Sequence, residues 1–227
     1  MVAAPTSHRG ISRATLVGLF LALIVPLLLP VVDSIFYGTE QTSARIEWGI
    51  VVHWVNLVAL MAVVILAERQ PLSSIGLRPL RWWTIPLGLL AGLAIMALSG
   101  VLARALEASS DVHFVAMLQS LPFSTRLLLV VTAGVFEETL YRGYGLERLA
   151  SAFGSKWAAG AVTVVLFTLG HIPAVGFAYL LPVFIVSLFV TLLYLWRRDL
   201  VVNIVAHATI DGIGLLVMPI LAHHGGL

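Results

Sequence analysis

The chain has 227 residues, of which 60% are hydrophobic and 11% charged, and its mean hydropathy is +1.03. A soluble globular domain carries about 25% charged residues, so an ordinary soluble enzyme is excluded, and intrinsic disorder, which needs low hydrophobicity and high net charge, goes with it. With no cysteine in the chain, disulfides, thiolate metal sites and cysteine nucleophiles are absent too.

Crossing a bilayer as a helix takes roughly 20 apolar residues. Seven runs meet that template, at 14–32, 48–67, 83–103, 126–146, 157–171, 175–196 and 200–221, so the expected fold is an all-α polytopic transmembrane bundle of about seven spans. The first run follows His8, Arg9 and Arg13, but it is longer than a signal-peptide core of about 7 to 15 residues and no small-residue cleavage site follows it, so it reads as a retained helix. The second carries His53 and Asn56, which suit hydrogen bonds between helices. Polar connections run from Glu68 to Arg81 and from Glu107 to Pro122. The fourth run carries charges and the fifth is short. Trp48, Trp82, Trp83, Trp157 and Trp196 fall near run ends, where an interfacial aromatic belt belongs. His223 and His224 read as a tail. Residues 1–119 then form N-terminal helices and loops, and residues 120–222 a second bundle that holds the intramembrane polar groups.

The formal charge of +2 comes from twelve Arg and one Lys against eleven acids, and the basic residues stand between apolar runs. They report topology and not a nucleic-acid footprint. On the seven-span template one side holds Arg9, Arg13, Arg69, Arg78, Arg81, Arg142, Arg148, Lys156, Arg197 and Arg198, and the other Arg45, Arg104 and Arg126. The positive-inside rule then puts the N-terminus inside and the C-terminus outside. The bias of Arg over Lys is what GC-rich coding produces and points to a bacterial plasma membrane.

An ionisable side chain inside a span is costly unless it pairs or lines a wet cavity, so such residues are functional candidates. Three groups qualify: Glu137, Glu138 and Arg142 in the fourth run, His171 at the end of the fifth, and Asn203, His207 and Asp211 in the seventh. Glu138 and Arg142 stand four apart with the acid first, the favourable order for a helical ion pair, so that pair is read as structural. Glu137 points about 100° away from Glu138 around the helix and is the freer acid. His207 and Asp211 share a face, which lets the carboxylate orient the imidazole. At about 1.5 Å rise per residue, Glu137 lies roughly 14 Å, His171 about 21 Å, His207 about 10 Å and Asp211 about 16 Å from the inner ends of their runs, so the groups can meet near mid-membrane. A carboxylate beside a neutral imidazole can deprotonate a water and deliver it to a carbonyl, and a second imidazole can donate to the oxyanion that develops. That is amide hydrolysis. Glu137, His171, His207 and Asp211 are also acceptable ligands for a divalent metal such as zinc, although the helical H-E-x-x-H signature is missing.

Glu137-Glu138-x-x-x-Arg142, Phe167-x-x-x-His171 and His207-x-x-x-Asp211 together resemble the three-motif pattern of the CPBP (Abi) family of intramembrane proteases, which includes the Rce-type CAAX prenyl endopeptidases and bacteriocin-processing relatives. The resemblance covers about residues 120–222. It implies that Glu137 and His171 activate the attacking water, that His207 and Asp211 serve the oxyanion, and that Glu138 and Arg142 support the site. It also implies a protein or peptide substrate held in the membrane, prenylated in the CAAX branch, and either metal-dependent or glutamate-dependent catalysis. This sequence departs from the CAAX branch in carrying Asp211 where Asn is usual, and an ionised Asp cannot donate to an oxyanion. Two other classes fit the residues alone: a proton-coupled transporter, since buried Glu, His and Asp also make proton relays, and a non-catalytic scaffold or bacteriocin-immunity protein whose polar residues hold helices together.

Overall fold

The computed structural model describes residues 11–37, 42–108 and 112–225. His8 and Arg9 lie outside them, as do the side chains of His223 and His224. Among the described residues all regular structure is helical. The helices are α1 (Arg13–Leu19), α2 (Val25–Tyr37), α3 (Ser43–Ala62), α4 (Thr84–Ala105), α5 (Val112–Ser120), α6 (Phe123–Glu137), α7 (Glu147–Phe153), α8 (Lys156–Gly170), α9 (Ile172–Val175), α10 (Leu180–Arg197), α11 (Leu200–Gly212) and α12 (Met218–Gly225). π-helical segments at Phe20–Ile24 and Glu138–Leu146 join α1 to α2 and α6 to α7, a third (Val63–Ala67) extends α3, and a fourth (Ile213–Val217) joins α11 to α12.

Among the described residues six helical stretches are long and apolar enough to cross a membrane: Arg13–Phe36, Ala44–Ala67, Thr84–Ala105, Lys156–Val175, Phe177–Arg197 and Leu200–Leu221. Each matches an expected run. The expected fourth span, 126–146, is helical but is not among the six, because Arg126, Glu137, Glu138 and Arg142 interrupt its apolar character. The connection from Glu107 to Pro122, expected as a loop, contains the short helix α5.

The charged helix is the packing centre. Every residue from Glu138 to Leu146 is buried. Around it lies one apolar cluster that draws Ala22 and Leu23 from the stretch Arg13–Phe36, Leu57, Leu60 and Val64 from the stretch Ala44–Ala67, and Phe136, Leu140, Tyr141, Tyr144, Phe167 and Tyr194 from the site-bearing half. The N-terminal helices and the motif helices thus share a core. In lipid the hydrophobic effect does not hold helices together, and close approach by small residues takes its place. On α4, Gly88 and Gly92 stand four apart against α11, and a Cβ on Gly92 would lie 2.6 Å from the Ala206 carbonyl oxygen. The outward faces carry Leu16, Val17, Phe20, Val55, Val58 and Leu66, as lipid contact requires. Trp48, Trp82, Trp157 and Trp196 are exposed, while Trp83 stacks under the Arg197 guanidinium at 4.6 Å.

Local chemistry sets the helix ends. Asp199 caps α11 by accepting from the Val201 and Val202 amides at 3.1 and 3.4 Å, and Ser155 caps α8 from the Ala158 amide, each meeting amides that the helix itself leaves unpaired. Gly76 takes φ +76°, a left-handed conformation that favours glycine, and packs against the Tyr194 ring; its carbonyl accepts the Leu200 amide at 2.8 Å. Pro219 has no N–H to offer the preceding turn. The carbonyls of Gly214 and Leu215 there accept instead from Gln119 Nε2 (2.9 Å) and Arg126 Nη1 (2.7 Å).

Candidate active site

Four helices assemble the site: α6 with its π-helical continuation, α8, α10 and α11. The chain widens into the π-helical segment immediately after Glu137, and such segments inside α-helices recur at functional sites. Glu138 is fully buried, and donors reach both of its oxygens. Oε1 accepts from Arg142 Nη1 at 2.8 Å and from His207 Nδ1 at 2.7 Å, and Oε2 accepts from Asn203 Nδ2 at 3.1 Å. Arg142 is held in turn by α10: Nε donates to Thr191 Oγ1 (3.2 Å), and Nη2 donates to the Ser187 carbonyl (3.1 Å) and hydroxyl (2.9 Å). Its guanidinium lies 4.6 Å from the centre of the Phe167 ring. A buried ion pair is tolerable only when its remaining donors and acceptors are also met, and these contacts meet them. The structural pairing expected for Glu138 and Arg142 is therefore observed.

The ring of His207 is fixed from one side and open on the other. Its Nδ1–H goes to Glu138, so Nε2 faces away, towards Glu137 Oε2 at 3.7 Å and Asp211 Oδ2 at 3.5 Å. Glu137 is the more accessible acid, with 23% of its side chain exposed against none for Glu138. Asp211 is on the same face of α11 as His207, one turn on, as the spacing requires.

His171 caps the C-terminal end of α8. Its Nδ1 donates to the Phe167 carbonyl at 2.8 Å, which leaves Nε2 with its lone pair in the neutral ring. The ring stacks at 4.6 Å on Phe167, whose centre is 6.3 Å from that of His207. The structure thus gathers Glu137, Glu138, Arg142, His207 and Asp211 into one cluster, with the Phe167 ring beside both His171 and His207. The acid that the motif pairs with His171, Glu137, is in contact with His207 instead. No group of three or more His, Asp or Glu among the described residues is disposed to hold a metal ion.

Asn203 has no assigned role in the sequence reading, yet it is fully buried and joins Glu138 to the Val190 carbonyl through Nδ2 (2.9 Å to the latter). Its signal was present: Asn203, His207 and Asp211 recur every four residues on one helix face. Ser187 and Thr191 carry the same signal on α10. Phe167, the first residue of the second motif, forms the aromatic floor under Arg142 and His171. Of the polar residues in the second span, Asn56 donates across helices to the Leu21 carbonyl at 3.1 Å. His53 bonds within its own helix, to the Gly49 carbonyl.

Below this cluster, Glu68 receives Arg148 Nη2 at 2.7 Å, the Tyr144 hydroxyl at 2.7 Å and the Thr15 hydroxyl at 2.9 Å. Burial pushes the Glu68 carboxyl up, but these donors and the Arg148 charge outweigh it and hold the group below its ordinary value. On the far side of α7, Glu147 takes a two-pronged pair from Arg198, both bonds at 2.6 Å.

No curated protein and no solved structure matches this chain. Residues 119–213, which include every member of the Glu138 cluster as well as His171, match the family model described as Type II CAAX prenyl endopeptidase Rce1-like.

Proposed function

We propose that the chain is an intramembrane endopeptidase that hydrolyses a peptide bond with a water activated by its own Glu137 and His171. The observation that carries this reading is the convergence of Glu137 and Asp211 on Nε2 of His207 while Nδ1 is locked on the buried Glu138. A ring whose two nitrogens both face carboxylate oxygens is set up to donate from both.

In the proposed reaction the water gives a proton to Glu137, and its oxygen bonds to the scissile carbonyl carbon. His171 Nε2, free to accept, orients that water. The carbonyl oxygen becomes an oxyanion and takes a hydrogen bond from His207 Nε2–H. The C–N bond then breaks, the proton on Glu137 passes to the leaving amine, and a carboxylic acid and an amine result. Asp211 accepts and does not donate. It serves the oxyanion indirectly, by holding the Nε2–H of His207 in place.

The substrate class that fits the family is a membrane-held peptide ending in a prenylated CAAX segment. Residues 120–222 carry the chemistry, and residues 1–119 buttress it. We place the protein in a bacterial plasma membrane with its N-terminus inside, its C-terminus outside and seven crossings, the helix at 123–153 being the fourth. Its two ends support that crossing. Arg148 reaches Glu68 and Ser74 at one end and Arg126 reaches Leu215 at the other.

The test is cleavage of prenylated CAAX peptides and a membrane-peptide library by the purified protein in lipid. Glu137→Gln is expected to lower kcat by about 100-fold or more with unchanged helix content and melting temperature, and cleavage is expected to survive a chelator. A Glu137→Gln variant that cleaves like the wild type overturns the mechanism. If folded wild type cleaves nothing, pH-driven flux in proteoliposomes would indicate a transporter, and its absence a scaffold.

A further inference from the structure

A cavity of about 580 Å³ lies at the end of the bundle where α7, α8 and α10 meet the 72–75 turn, and it shares no residue with the Glu138 cluster. Its walls include Ser74, Glu147, Arg148, Ser151, Lys156 and Arg198. The volume falls within the range of small-ligand sites.

The depth of the cavity is set by the spans around it. One begins at Lys156 and another ends at Arg197, and the neighbouring Trp157 and Trp196 are both exposed, as indole rings are at the headgroup layer. The cavity therefore opens at the level of lipid phosphates.

Its charges leave a vacancy for an anion. Arg148 is committed to Glu68 and Ser74, and Arg198 gives Nε and Nη2 to Glu147. Lys156 is exposed and has no carboxylate within 4.0 Å among the described residues. With Glu68 counted behind Arg148, the group of five charges carries one positive charge in excess. Lys156 Nζ, the remaining Arg198 nitrogen and the Ser151 hydroxyl supply donors for phosphate oxygens.

We propose that this cavity binds a phosphate group, supplied by an anionic phospholipid headgroup or by a soluble phosphate. The proposal does not depend on the peptidase reading, because none of its residues enters that reaction.

The full-length protein in detergent is titrated with phosphatidylglycerol, phosphatidylcholine or inorganic phosphate, and binding is followed by native mass spectrometry and by the melting temperature. Phosphatidylglycerol is expected to stay bound to the wild type in preference to phosphatidylcholine. Lys156→Gln should weaken it about fivefold, the worth of one basic residue near the surface, and Ser151→Phe, which fills the cavity without removing charge, should abolish it. Arg104→Gln, which removes a charge at the opposite end of the bundle, should bind as the wild type does. Binding of inorganic phosphate alone, lost in the same two variants, supports the site and identifies its source as soluble. No binding of either anion to the folded wild type, or equal binding by the wild type, Lys156→Gln and Ser151→Phe, overturns it.

Discussion

Glu138 and Arg142 have no water to turn to, so each depends on the other and on the small set of donors and acceptors around them. Removing one partner leaves an uncompensated buried charge, which costs about 3–5 kcal/mol. Arg142→Met is expected to lose stability on that scale in reversible unfolding from mixed micelles, and adding Glu138→Gln should recover more than half of the loss. Recovery is the informative arm, since a purely packing role for Arg142 predicts none. His207 inherits its aim from the same carboxylate. The double variant should therefore fold but cleave poorly, because its imidazole has lost the anionic partner of Nδ1. At this scale the sequence was readable where partners lie one helical turn apart, as with Glu138 and Arg142 or His207 and Asp211. It was unreadable where they come from different helices. No spacing rule brings Asn203 to Glu138 across 65 positions, or exchanges His171 for His207 as the neighbour of Glu137.

Among the elements, the helix at 123–153 departs furthest from expectation. Its charges keep it out of the six apolar spans, and the other helices shield it along the segment that carries them. The turn before Pro219 shows how a helix break is made tolerable in lipid, where every freed carbonyl needs a donor. Arg126→Ala leaves the Leu215 carbonyl without its 2.7 Å donor, and a loss of about 1–3 kcal/mol is expected. Pro219→Ala restores an N–H in the following turn and should offset part of that loss, a coupling that a thermal double-mutant cycle measures. Equal effects of Arg126→Ala with and without Pro219 would remove this account of the contact.

For the whole molecule, the orientation can be measured without removing native thiols, since the chain has no cysteine. Leu106→Cys and Ser151→Cys both introduce exposed thiols. The first should react with an impermeant maleimide in intact cells, and the second only after permeabilisation. The opposite pattern would reverse the topology. The contact of Glu68 with Arg148 and Tyr144 ties the N-terminal helices to the motif helix and makes that tie sensitive to acid. Because the folded carboxyl sits below its ordinary value of 4.5, its contribution is full above that value and is lost as the pH falls through the lower folded one. Melting temperature should therefore drop on acidification less steeply in Glu68→Gln than in the wild type between about pH 5 and pH 3.

Composition and periodicity by themselves determined that this is a helical membrane protein, where six of its apolar spans lie, and which ionisable residues are out of place in them. Those properties are local: twenty apolar residues make a span wherever they occur, and a buried charge is anomalous in any apolar run. The motif spacings added the resemblance to a family, which the match over residues 119–213 supports. Tertiary structure alone decided which imidazole faces Glu137, and that Asn203, Ser187 and Thr191 complete the cluster. Those outcomes depend on how α6, α8, α10 and α11 are rotated against one another, a property of packed surfaces that no single stretch of sequence encodes.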